Sequence, residues 1–505
     1  MLGSIIRKFA VGLVLAGLTA AGAHADSVIR IGLQEDPDSF DPARAYSFVG
    51  RIVLTSLCNK LIDAAPDLHF VPQLALSWDT SADGKTVTFR LRPGVKFSDG
   101  TDLDAAAVAL NLDRAMHLPE SRRKSEVAAL DTVDVIDPLT VRLNLKNPFA
   151  PLIAQLSDRA GLVASPKALQ NPAGFDQAPA CSGPFKMAER VVQDHITLVR
   201  DPTYWDAGRI HIDRVEFRII PDPAVRLANL RAGNLDFAER ILASDVAGLK
   251  ADPRFKVLVG PSLQYNGITI NIANGAGGNP DFAKSPQLRE ALDLSLDREA
   301  INQVLFDGNA VPDNQPQPAS SPFHSPDRPV KLRDLARAKE LIKASGVEHP
   351  TLELIVTNSS DQTQLAQMIQ AMAAEAGIEI KLATMEFQTN LAHEDKGDYQ
   401  AAIIGWSGRV DPDGNIYTLL GCKSPNNYAH YCSDETESLL LQGQAEIDLQ
   451  KRYALYHQAI DKIVDDRPII YLYHPPLIMV MTAKLNGYGF HTDGLIRLQD
   501  VSYSQ

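Results

Sequence analysis

The chain has 505 residues and carries 49 Lys and Arg against 62 Asp and Glu, a formal net charge of −13. An acidic excess spread along the sequence argues against nucleic acid or anionic lipid as partners and keeps a protein in solution. The length exceeds what one hydrophobic core sustains, so two or three domains are expected.

The first residues have the pattern of an export signal. Arg7 and Lys8 precede an apolar stretch over 9–18, and small residues lead to Ala23-His24-Ala25, an A-x-A cleavage pattern. The apolar run is shorter than the ~20 residues of a membrane span, so cleavage is favoured over its alternative, an uncleaved anchor. No arginine pair and no cysteine accompanies the stretch, so neither a twin-arginine nor a lipoprotein signal is expected. A cut after Ala25 leaves 480 residues, removes two positive charges and moves the net charge to −15. The mature protein is expected in the periplasm, as a soluble monomer. Four cysteines remain, and an oxidising compartment favours disulfides. Cys422 and Cys432 flank a short polar loop, where a bridge would stabilise by about 2–3 kcal/mol. Cys58 and Cys181 either pair across a domain contact or stay as buried thiols.

The mature chain opens with a strand over 28–33, followed by a Pro- and Asp-rich loop over 35–44. Val87, Phe89 and Leu91 alternate with polar residues, the period of a half-buried strand, between the turns Asp83-Gly84 and Pro93-Gly94. Asp104 caps an Ala-rich helix running toward Met116. A second alternating pair, Val133 and Val135 then Val141, Leu143 and Leu145, turns at Asp137-Pro138. This half reads as α+β. The second half differs. Ser285-Pro286 and Asp297 start two helices, and a Pro-rich connection over 312–329 follows. Helix 333–345, strand 352–357, helix 362–376, strand 378–382 and the apolar strand 401–406 then alternate, as in an α/β domain with its own sheet. A long helix near 436–465 leads into a β-rich tail over 469–482. Two unlike lobes imply a ligand cleft between them.

Several segments together resemble the peptide/nickel-type (family 5) extracellular solute-binding proteins of ABC importers. They are Pro72-Gln73-Leu74-Ala75-Leu76-Ser77-Trp78, Asp83-Gly84-Lys85-Thr86-Val87-Thr88-Phe89 and Leu91-Arg92-Pro93-Gly94-Val95-Lys96-Phe97-Ser98-Asp99-Gly100. Further matches are Ser182-Gly183-Pro184-Phe185, Leu288-Arg289-Glu290-Ala291-Leu292 with Asp297-Arg298, and Gly405-Trp406 before Asp411-Pro412-Asp413. The resemblance implies a two-lobed periplasmic-binding-protein fold with an extra domain. Domain I would comprise 26–64, 184–262 and 483–505, the inserted domain II 65–183, and domain III 263–482. It further implies capture of a small-molecule or peptide ligand and delivery to an inner-membrane ABC permease, with no cofactor.

The apolar strand 401–406 empties into Ser407-Gly408-Arg409, so its end can approach the cleft. Trp406 either offers ligand an apolar face or packs in the core. In peptide-binding members of the family, an Asp a few residues beyond this Trp receives the ligand amino group; Arg409 stands at the matching position. A guanidinium suits carboxylate or phosphate and cannot accept from an ammonium. Arg409 is therefore read as the receptor of an anionic ligand group, the alternative being a salt bridge to Asp411 or Asp413. The further candidates are Ser407, Asp411, Tyr46, Tyr265, Asn266, Asn427, Tyr428 and Ser182, each with ordinary turn or core duty as its alternative. A nickel-chelate or haem binder is the runner-up on the same fold. A periplasmic hydrolase is disfavoured: Gly405-Trp406-Ser407-Gly408-Arg409 lacks the final glycine of a nucleophile elbow, and the histidines show no metal-binding spacing.

Overall fold

The computed structural model of the protein describes residues 27–504. The export-signal residues expected over 1–25 lie outside them. Among the described residues the three largest of five sheets organise the chain, each over its own hydrophobic core.

Val28–Leu33 sits inside a seven-stranded sheet. Its order is Phe255–Gly260, Leu477–Thr482, Phe237–Glu239, Val28–Leu33, Arg214–Ile219, His195–Arg200, Phe185–Val191. Val28–Leu33 runs parallel to both Arg214–Ile219 and Phe237–Glu239, with Val28 opposite Arg214 and Ile31 opposite Phe237. Ile29, Ile31 and Leu33 are fully buried, as a strand inside an α/β sheet requires.

The second sheet has the order Val311–Pro312, Ile469–His474, Tyr265–Ile270, Ala401–Trp406, Thr351–Thr357, Glu379–Met385. Thr351–Thr357 is parallel to both Ala401–Trp406 and Glu379–Met385. The helices Pro286–Ser295, Leu335–Ser345 and Ser360–Ala376 contribute to its core. The Ser285 hydroxyl accepts from Leu288 N with Pro286 in the first turn, and Asp297 accepts from Ala300 N, the capping chemistry legible in the sequence.

A four-stranded antiparallel sheet, Ala75–Thr80, Thr86–Leu91, Thr140–Leu145, Leu130–Asp137, forms the insertion. The helix Ala105–His117, capped by Asp104, shares its core. The molecule is thus α/β with an α+β insertion, as expected.

Two expectations need correction. The single helix near 436–465 is two, Asp434–Ala445 and Leu449–Asp466. Asp448 starts the second by accepting from Lys451 N, and Arg452 Nε folds back onto Gly443 O at 2.9 Å. The β-rich tail also divides between sheets. Ile469–His474 belongs to the second, whereas Leu477–Thr482 inserts into the first between Phe255–Gly260 and Phe237–Glu239. The crossing falls at Pro475-Pro476, several residues before the expected boundary at 482, because neither proline can donate to a continuing ladder.

Both cysteine pairs are bridged, Cys58 to Cys181 and Cys422 to Cys432. The first ties the end of the helix Phe48–Leu57 to the exit of the insertion. Gly183 lies so close to Leu57 that a Cβ there would sit 2.4 Å from its carbonyl, which accounts for the glycine after Ser182.

Candidate functional site

In both large sheets the parallel strands point their carboxyl ends at the same space, the position where open α/β sheets hold ligands. Val28–Leu33 ends at Gln34-Glu35, and Phe237–Glu239 ends at Arg240. From the other side, Thr357 leads to Asn358 and Ser359, Glu379–Met385 leads to Glu386, and Ala401–Trp406 leads to Ser407. These residues line a cavity of about 150 Å³ together with Tyr46, Tyr265 and Asn266. The lobes touch across it: Gln388 Nε2 donates to Asp36 O at 3.0 Å.

The first wall is charged. Glu35 is buried, and burial pushes its carboxyl up to about 8, with Arg240 opposing and Glu239 reinforcing the shift. Burial likewise raises Glu239. Arg240 is held in the left-handed region at φ 50°. Its Nη2 donates to Gln264 Oε1 at 2.7 Å, its Nε has no hydrogen-bond partner, and Glu239 is 4.0 Å away. The guanidinium, 37 % exposed, lies 5.2 Å from the Phe48 ring.

The second wall sets an aromatic patch beside the carboxylates Asp361 and Glu386. Trp406 Nε1 donates to Asn415 Oδ1 at 3.1 Å, which fixes the indole. Tyr46 lies 5.9 Å from it and meets Tyr428 edge-on at 5.7 Å. A small side pocket opens between Tyr46, Tyr265, Trp406 and Tyr428. Burial, reinforced by Glu394, pushes the Tyr46 phenol up to about 12, so it stays a neutral group. Asn266 Oδ1 and Gln264 Nε2, both in the lining, have no hydrogen-bond partner among the described residues.

Of the residues expected at the site, Tyr46, Tyr265, Asn266, Trp406 and Ser407 line the cavity and Tyr428 lines the side pocket. Four stand elsewhere. Asn427 holds the disulfide loop, donating to Gly421 O and Tyr431 O. Ser182 is buried beside Cys181, outside the cavity lining. Asp411 is gripped by both terminal nitrogens of Arg452 at 2.7 Å.

Arg409 is buried beneath Trp406, its Cζ 4.4 Å from the ring centroid. Its Nε pairs with Asp158 at 2.7 Å rather than with Asp411 or Asp413, and Arg51 reaches the same carboxylate at 2.7 Å. Gly408 permits this turn. Its φ is +73°, and a Cβ there would lie 2.1 Å from Leu263 O. Arg409 also acts on the cavity through a neighbour. Arg51 and Arg409 both donate to Ser407 Oγ, at 3.0 and 3.2 Å. With both acceptor positions filled, the Ser407 hydroxyl has its proton left to donate.

Sequence reasoning missed Glu35 and Arg240. Glu35 sits in an irregular loop, and Arg240 follows a three-residue strand too short for periodicity to show.

Comparison with known proteins gives the class. Residues 69–427 match the family described as bacterial extracellular solute-binding proteins, family 5. The chain is 29 % identical over 516 residues to the glutathione-binding protein GsiB of Pectobacterium atrosepticum, covering 98 % of each. The DppA periplasmic binding protein of Helicobacter pylori, solved with the peptide STSA, superposes with TM-score 0.89 at 24 % identity over 95 % of this chain and 98 % of that one. The dipeptide-binding protein of Pseudoalteromonas sp. SM9913, solved with Met-Leu, gives TM-score 0.88 at 21 % identity over 94 % and 100 %.

The protein belongs to the family 5 extracellular solute-binding proteins. It is the periplasmic substrate-binding component of an ABC importer, a binding protein and not an enzyme, and it delivers its solute to the membrane permease.

Proposed function

We propose that the solute is a short peptide-like molecule of about glutathione size, carrying both an ammonium and a carboxylate, bound by a monomer whose export signal is cut after Ala25. The observation that carries this reading is the asymmetry of the first wall. Arg240 offers a partly unpaired guanidinium to a carboxylate, and Glu35 offers a buried carboxyl to an ammonium. The anion-binding role expected of Arg409 passes to Arg240, because Arg409 is committed to Asp158. Trp406, Tyr46, Tyr265 and Tyr428 would receive the apolar body of the ligand. Ser407, Asn266 and Gln264 would supply directional hydrogen bonds to its amides. The names of the relatives point the same way, to glutathione and to short peptides.

Isothermal titration of the purified protein tests the reading with glutathione, Met-Leu, the tetrapeptide Ser-Thr-Ser-Ala, nickel–histidine and haem. Micromolar or tighter binding of glutathione or a short peptide is expected, weakening on removal of either the free amine or the free carboxylate. Tight nickel–histidine or haem binding with no response to any peptide would overturn it.

A further inference from the structure

Outside the cleft, buried charge concentrates where the helix Phe48–Leu57, the insertion and the Trp406 loop meet. Three guanidiniums converge on one carboxylate. Arg51 and Arg409 lie 2.7 Å from Asp158, and Arg159 lies 3.8 Å from it. Arg123, alongside, pairs with Glu126. None of these six side chains is as much as one-tenth exposed. Four arginines against two carboxylates leave two positive charges uncompensated in a low-dielectric setting, where an unpaired ion is strongly disfavoured. Burial and the repulsion of Arg123 and Arg409 hold Arg159 well below the ordinary arginine range.

A small cavity lies against this cluster, with room for about one water-sized guest. Asn111, Arg114, Arg123 and Arg159 supply its polar lining, and no carboxylate lines it. Arg114 is committed to Asp41 through two bonds of 3.1 and 2.7 Å. The Asn111 amide is committed to Ala107 O, Ala164 O and Ala164 N. By contrast, Nη2 of Arg159 and Nε of Arg123 have no hydrogen-bond partner among the described residues, and Nε of Arg159 has only the Asp158 carboxylate at 3.8 Å. Both arginines are 2 % exposed or less. Unpaired donors, excess positive charge and a small cavity thus coincide, and no residue of this lining belongs to the ligand cleft.

We propose that the cavity between Arg123 and Arg159 binds one monovalent inorganic anion of halide size, which compensates the arginine excess at the junction of the three parts of the chain. A water would satisfy a donor and leave the charge, whereas an anion does both.

The test uses the full-length mature protein without ligand. Thermal unfolding is followed while chloride replaces gluconate at constant ionic strength. A saturable rise in Tm on the order of 2 °C is expected, because an anion bound only by the folded state stabilises it. Bromide should reproduce the rise and Arg159→Gln should abolish it. Crystals grown in bromide should show an anomalous peak in this cavity. A Tm unchanged when chloride or bromide replaces gluconate overturns the proposal, and so does a cavity holding only water with no anomalous signal. Should Arg159→Gln fail to fold, the halide titration and the bromide diffraction on the unaltered protein decide it alone.

Discussion

Arg240, in the lining of the cleft, and Arg409, buried behind the opposite wall, show how little a residue's type says about its task. Arg409 occupies the position where family logic puts ligand recognition, yet it is buried, salt-bridged to Asp158 and roofed by Trp406. Arg240 follows a strand of three residues, and its guanidinium is partly exposed in the cavity lining, with Nη2 on Gln264 and Nε 4.0 Å from Glu239. What separates them is the supply of partners. An arginine whose donors are already used by the protein supports the architecture, and one with donors left over can read a solute.

The largest effect that would break this contrast comes from Asp158→Ala. It strips the shared carboxylate from Arg51, Arg159 and Arg409, and removing one side of a buried ion cluster costs about 3–5 kcal/mol. A matching loss of stability is expected in urea unfolding; a near-neutral result would mean that the Arg409 region is not structural. Next comes Arg240→Ala, for which titration should show affinity falling about 10–100-fold, the weight of a charge-assisted hydrogen bond, while Tm stays nearly constant. Equal losses of stability and affinity would erase the distinction between the two arginines. Ser407→Ala removes the one hydroxyl proton that Arg51 and Arg409 leave available, and a 2–10-fold loss of affinity, about 0.5–1.5 kcal/mol, is expected.

The smallest effect is a pH dependence. Glu35 is raised by burial from an ordinary 4.5 to about 8. The folded protein therefore keeps a proton that the unfolded chain releases. The resulting stabilisation is complete below about pH 4.5 and is lost as pH rises through 8. A ligand ammonium beside Glu35 favours the ionised form, so affinity should rise from pH 5 to 8 with proton release on binding. Glu35→Gln should flatten both profiles; titration in buffers of different ionisation enthalpy reads the proton count.

Much of the architecture was legible because it rests on local chemistry. The caps at Asp104, Ser285 and Asp297, the period-two strand around Val87, Phe89 and Leu91, and the short Cys422–Cys432 loop all carry their instructions within a few residues. The cleft-lining Trp406 and Tyr265 were legible as large aromatic side chains near a strand end and an expected lobe crossing, and Tyr46 only through the family resemblance. What stayed hidden depends on partners distant in sequence. Asp158 lies some 250 residues before Arg409, and no spacing rule links them. The division of the tail is similar: 469–482 read as one β-rich stretch, and only the assembled sheets show that Ile469–His474 and Leu477–Thr482 part company at Pro475-Pro476.

That parting has a consequence for the order of assembly. Leu477–Thr482 is not an edge addition but the link between Phe255–Gly260 and Phe237–Glu239 in the sheet begun by Val28–Leu33. The lobe that starts the chain therefore cannot close its sheet until the last strands have emerged. The second lobe waits almost as long, because Ile469–His474 pairs with Tyr265–Ile270, whereas the insertion, whose strands all lie within 75–145, is free to form early. Refolding of the isolated protein should accordingly end with a slow phase in which both large sheets close, after the insertion has formed.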